Sequence, residues 1–252
     1  MRLGLFGLVA LAAVGWAFGG FAADLSENPV PALGQNARSS VSFDPAKRGA
    51  RVLFVGNSIT LHGPRPQIGW TNNWGMAASA RERDYVHLLQ ARIAAVSKDS
   101  QCGLLQVADS FERGFWKAEW SCGAKYAGLD GLGLDVVVFF FGANVPIEYD
   151  RGALKGVRSF GRALEELADW LDPKGRALKV VVQGFYGRPL LEREKVELAT
   201  RRGFVYVPIE AFRDKPEVKG MFSHPNDRGM ALIADAIWGA IAERVGAAKG
   251  RQ

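Results

Sequence analysis

Two short segments, far apart in the chain, hold residue types that can do nucleophilic chemistry together. The first is Val52-Leu53-Phe54-Val55-Gly56-Asn57-Ser58-Ile59-Thr60. Four apolar residues in a row suit a central strand covered on both faces. Gly56 ends that run and permits close backbone approach. Asn57 and Ser58 then stand at the carboxyl end of the strand, where open α/β sheets place their ligands. A serine hydroxyl is a weak nucleophile alone and needs a base to take its proton. The second segment, Phe222-Ser223-His224-Pro225-Asn226-Asp227, supplies one. Pro225 disfavours helical backbone at His224, which leaves the histidine in a loop. Asn226 or Asp227 can cap the helix that follows. Imidazole titrates near neutral pH and suits proton transfer to and from a serine.

The chain has three histidines. His62 is four residues beyond Ser58, but Gly63 and Pro64 interrupt any helical turn that would keep the two on one face. A structural place or the rim of a pocket suits it better. His87 sits on the flank of a predicted helix, where packing or a local hydrogen bond is its ordinary use.

The order of short blocks around these residues resembles that of the SGNH/GDSL hydrolase superfamily. Gly56-Asn57-Ser58-Ile59-Thr60 matches the nucleophile block, with Asn in the second position. Phe111-Glu112-Arg113-Gly114 fits the glycine block, Gly142-Ala143-Asn144 the Gly-x-Asn block, and Met221-Phe222-Ser223-His224-Pro225 the histidine block. The resemblance covers most of the chain beyond residue 50. It implies Ser58 as nucleophile, His224 as base, and an oxyanion hole built from the N–H of Ser58, the N–H of Gly114 and the side-chain amide of Asn144. The chain departs from the family at Met221, where an aspartate would orient the histidine. Another partner must do so: a backbone carbonyl, or Glu210, Asp214 or Glu217 reaching in from upstream.

Those residues need a scaffold. Apolar runs at about 51–56, 104–107, 136–141, 178–183 and 204–207 alternate with helical patterns near 80–97, 152–171, 188–201 and 227–245. Alternation of this kind predicts an α/β fold, a flavodoxin-like three-layer sandwich with a five-stranded parallel sheet and helices on both faces. The loop at 61–79 is long and rich in Gly and Pro. Its Trp70 and Trp74 can stack on sugar rings or wedge the loop onto the domain, and Asn57 and His62 join them as candidate substrate contacts.

Composition places limits around this reading. With 252 residues, 48% of them hydrophobic and 23% charged, the chain can bury one ordinary core. Residues 1–22 read as a secretory signal peptide, with Arg2 at the start, an uncharged apolar run from Leu3 to Phe18, and small residues at Gly20 and Ala22. Residues 23–49 form an extended lead-in rich in Pro, Ser, Asn and Gly, and 50–248 form the hydrolase-like domain. The expected location is periplasmic or extracellular, with no membrane embedding after cleavage. In an oxidising compartment the two cysteines, Cys102 and Cys122, are expected to pair as a disulfide. No metal-ligand spacing occurs, and no metal or cofactor is expected. The net charge of +6 suits attraction to acidic polymers or, equally, a solvated basic surface that aids solubility, and no nucleic-acid motif accompanies it. The function expected is a serine esterase removing acyl groups, foremost acetyl, from a carbohydrate or related ester. An O-acyltransferase acting on envelope polysaccharide and a non-catalytic glycan-binding protein are the alternatives.

Overall fold

The computed structural model describes residues 41–248. The predicted signal peptide and most of the lead-in lie outside the described residues. Five strands, β1 (Arg51–Gly56), β2 (Gln101–Gln106), β3 (Val136–Phe140), β4 (Leu178–Val182) and β5 (Val205–Val207), form one sheet in the order β2-β1-β3-β4-β5. Every pairing is parallel. This is the flavodoxin-like order, and its direction reverses between β1 and β3. Ser58 follows β1 directly, so the nucleophile stands at that switch point.

Side chains alternate along each strand and divide the core in two. Val52, Phe54, Val136, Val138, Phe140, Val180 and Val182 face α1 (Tyr85–Val96) and α7 (Asp227–Ala247). Leu53, Val55, Val137, Phe139 and Val181 face α4 (Phe160–Leu171) and the aromatic cluster of Phe111, Phe115, Phe141 and Phe160. The remaining helices are α2 (Cys122–Tyr126), α3 (Ile147–Asp150), α5 (Pro189–Arg202) and α6 (Glu210–Arg213).

The helix ends follow local chemistry. Asp84 caps α1 by accepting from His87 N at 2.8 Å, and Asn226 caps α7 by accepting from Gly229 N at 3.1 Å. Asp227 instead accepts from the N–H and the hydroxyl of Ser79, both at 2.7 Å, tying α7 to the segment before α1. His87 donates or shares a proton with Asp84 Oδ1 at 2.8 Å, consistent with its structural reading. The helix expected at 80–97 starts at Tyr85, because Arg81–Arg83 form a 3-10 turn first. The helix expected from 152 starts at Phe160, where Ser159 caps it.

The end of the lead-in packs against the domain: Val41 is buried beside β2, and Asp44 N donates to Gln101 Oε1 at 2.7 Å. One expectation is corrected. The disulfide does not form. Cys102 belongs to the core on one face of the sheet and Cys122 to the core on the other, so the sheet itself separates them. Burial pushes both thiols up to about 12.

Candidate active site

Ser58 and His224 meet. Their Oγ and Nε2 atoms are 2.8 Å apart, although 166 residues separate them in the chain. Each is held by its own loop. On the serine side, the carbonyl of Asn57 accepts from the N–H groups of Thr60 and Leu61 at 2.9 Å, closing a tight turn after β1. Gly56 makes that turn possible, since a Cβ there would overlap Thr60 Oγ1. The Ser58 carbonyl accepts from Met76 N at 2.9 Å, which brings the end of the long loop back to the nucleophile.

On the histidine side, Gly220 N donates to the His224 carbonyl at 2.7 Å and Asn226 N to the Val218 carbonyl at 2.9 Å. The loop between is tight enough to force Phe222 (φ 51°) and Ser223 (φ 58°) into the left-handed region. Such backbone is costly for residues other than glycine and concentrates at functional sites. Its effect here is to turn the Phe222 carbonyl toward His224, 3.3 Å from Nδ1. With Nδ1–H donating to that carbonyl, Nε2 is left to accept from Ser58. The orienting group is therefore a main-chain oxygen. Among the described residues, Glu210, Asp214 and Glu217 make no hydrogen bond with the ring.

Burial lowers the pKa of His224, and the nearby charge of His62 lowers it further, against the raising effect of the Phe222 and Met221 main chain. A lowered pKa enlarges the neutral, proton-accepting fraction of the ring. His62 is buried too, its Nδ1 bound to the Gly63 carbonyl at 2.6 Å, and burial lowers its pKa. The edge of Tyr186 packs against His224, with ring centroids 6.0 Å apart.

The remaining predicted residues divide. Asn144 lies in the loop after β3. Its Nδ2 donates to Glu112 Oε2 at 2.7 Å, and its Oδ1 accepts from Arg113 Nη2 at 2.8 Å. Gly114 follows the π-helical turn Ala108–Glu112, and its N–H donates to the Phe111 carbonyl at 3.0 Å. Asn57 is buried, with Nδ2 on Glu112 and Oδ1 accepting from Ile59 N, so it links segments instead of facing a ligand. Trp70 is only 4% exposed, and its indole N–H donates to the His62 carbonyl. Trp74 donates to the Ala78 carbonyl and meets Trp70 edge to face at 6.0 Å. Both rings wedge the loop in place, and Trp70 has no face left for a sugar.

Sequence reasoning missed Glu112 and Arg188. Glu112 is completely buried beneath the site. Arg188, on the other side of the Gly142–Pro146 loop, forms an ion pair with Asp150 and donates to the carbonyls of Val145 at 2.6 Å and Pro146 at 3.0 Å. Glu112 had a visible signal, an acid among the apolar residues of the glycine block. Arg188 lies in a Gly-Arg-Pro stretch with no such mark.

No family model matches the chain, and no curated protein does. Solved structures do. One described as a GDSL-like lipase from Bacteroides uniformis is 14% identical, with 77% of this chain and 96% of that one covered and a TM-score of 0.50. A family two carbohydrate esterase from Clostridium thermocellum, in complex with cellohexaose, is 16% identical over 82% of this chain and 68% of that one, with a TM-score of 0.50. A two-domain esterase active on acetylated mannans is 16% identical with a TM-score of 0.48, and the match covers 82% of this chain but only 52% of that protein. This chain thus spans about half the length of that esterase. The fold is that of the SGNH/GDSL hydrolases.

Proposed function

We propose that this chain is a serine esterase that removes acetyl groups from a carbohydrate or a related ester through an acyl-enzyme. The observation that carries the reading is the 2.8 Å contact between Ser58 Oγ and His224 Nε2 at the carboxyl edge of the sheet. Ser58 attacks the ester carbonyl while His224 takes the hydroxyl proton. The oxyanion that forms lies against the backbone N–H of Ser58 and the second amide hydrogen of Asn144, the first being bound to Glu112. Gly114, the third donor that the resemblance implies, has its N–H on the Phe111 carbonyl at 3.0 Å and is left out of this hole. His224 then gives its proton to the leaving alcohol, and a water activated by the same ring cleaves the acyl-enzyme.

A carbohydrate alcohol is supported by the net charge of +6, suited to acidic polymers, and by the fold shared with a carbohydrate esterase. Export, expected from residues 1–22, would bring the protein to such polymers. No helix among the described residues is long and apolar enough to cross a membrane.

Hydrolysis of p-nitrophenyl acetate by the mature protein tests the reading, with Ser58→Ala and His224→Ala alongside. Turnover by the parent that falls to background in both variants supports it. A parent no faster than Ser58→Ala overturns it.

A further inference from the structure

We infer that Glu112 is a positioning residue, whose buried carboxylate fixes the amide of Asn144 and the turn around Ser58 into one oxyanion-stabilising unit. The inference rests on the esterase reading and adds a residue to it. Glu112 is 0% exposed. A carboxylate so placed is costly unless its oxygens are hydrogen-bonded. Oε1 accepts from Asn57 Nδ2 at 3.0 Å, Gly142 N at 2.5 Å and Asn144 N at 3.2 Å, and Oε2 accepts from Asn144 Nδ2 at 2.7 Å. All of these partners belong to the serine turn or to the Gly142–Asn144 loop. A staple serving the fold in general would have no reason to bind only the two segments that flank the reacting carbonyl.

The geometry also settles which way the amide of Asn144 faces. Its oxygen is held by Arg113 and its nitrogen by Glu112, two successive residues, so a flip would break both bonds at once. Bonds to a charged acceptor are stronger than neutral ones. One amide hydrogen is thereby held by Glu112 and the other left for the oxyanion. Arg188 completes the grip from the far side. Glu112 gathers N–H groups of the loop, and Arg188 gathers its carbonyls. The carboxylate reaches this place because Ala108–Glu112 is a π-helical turn, a widening that recurs at functional sites.

The test is a double-mutant cycle on p-nitrophenyl acetate hydrolysis. Glu112→Gln keeps the shape but sets an amide donor against donors. It should lower kcat by about tenfold or more with KM within about threefold, and in an Asn144→Ala background it should cost less than about threefold. Losses that multiply independently in the double variant overturn the inference. A second measurement does not depend on activity or on Glu112→Gln folding: the side-chain amide of Asn144 in the ¹⁵N spectrum of the parent, assigned by its loss in Asn144→Ala. One proton shifted downfield and protected from exchange supports the hold by Glu112. Two fast-exchanging protons overturn it. If the parent is no more active than Ser58→Ala, the esterase reading fails, while the amide spectrum still decides whether Glu112 holds Asn144.

Discussion

The carbonyl oxygen of Phe222 stands 3.3 Å from Nδ1 of His224, placed to accept from an Nδ1–H and so orient the ring. A carbonyl is a neutral acceptor. It fixes the tautomer but stabilises the protonated ring less than an anion would. Burial, helped by the neighbouring His62, outweighs the raising effect of the Phe222 carbonyl and leaves His224 below its ordinary value.

The pH dependence follows from that sign. A lowered pKa enlarges the neutral fraction of the base at any given pH. The acidic limb of kcat/KM should therefore fall at a pH below about 6.5, the ordinary histidine value. Met221→Asp, which returns an acid three residues before the histidine, should move that limb upward. A limb in the parent at or above the ordinary value would contradict the assignment of His224 as the base.

Removing the Asn144 amide should be felt in turnover. Asn144→Ala is expected to lower kcat by about 10²–10³, or roughly 2.7–4 kcal/mol in the barrier, with KM little changed. Steady-state kinetics on an activated acetate ester measure this directly. A loss confined to KM would assign Asn144 to ground-state binding.

Gly56 has no room for a side chain. Its neighbour Thr60 Oγ1 is engaged with the Tyr85 hydroxyl at 2.7 Å, so Thr60 cannot swing away without leaving a buried group unpaired. Gly56→Ala should cost about 1–3 kcal/mol of stability and displace the serine. Denaturant melts together with the esterase rate check both effects. An alanine variant with unchanged midpoint and rate would show that the turn has slack.

Trp70 is a packing residue, and its removal should register in stability first. Trp70→Ala is expected to cost about 3–5 kcal/mol. The KM for a small acetate ester should move little at a temperature where the variant remains folded. A large rise in KM for an acetylated oligosaccharide, with stability intact, would instead return Trp70 to the substrate surface.

Much of the fold was legible because its signals are local. Val52–Val55 and Val136–Phe141 are apolar throughout, and buried parallel strands demand that. Ser58 and His224 were legible because strand–turn and loop–helix junctions mark both. What escaped depends on packing between segments. The carbonyl of Phe222 carries no side-chain signature, and its direction comes from a left-handed turn that no residue type announces. Glu112 was visible as a residue but not as a hub, since its partners lie in two other loops. The tryptophan pair offered two uses, and only burial distinguishes them. The cysteine pair misled because an even count says nothing about which side of a sheet each residue faces.

That last feature has a consequence for how the protein can be made. With Cys102 and Cys122 on opposite faces of the sheet, the native fold requires no oxidant and gains none of its stability from one. The same architecture can be reached in a reducing cytosol and in an oxidising exterior. Material produced in either setting should carry two alkylatable sulfurs once unfolded, and a reductant should leave its melting temperature unmoved.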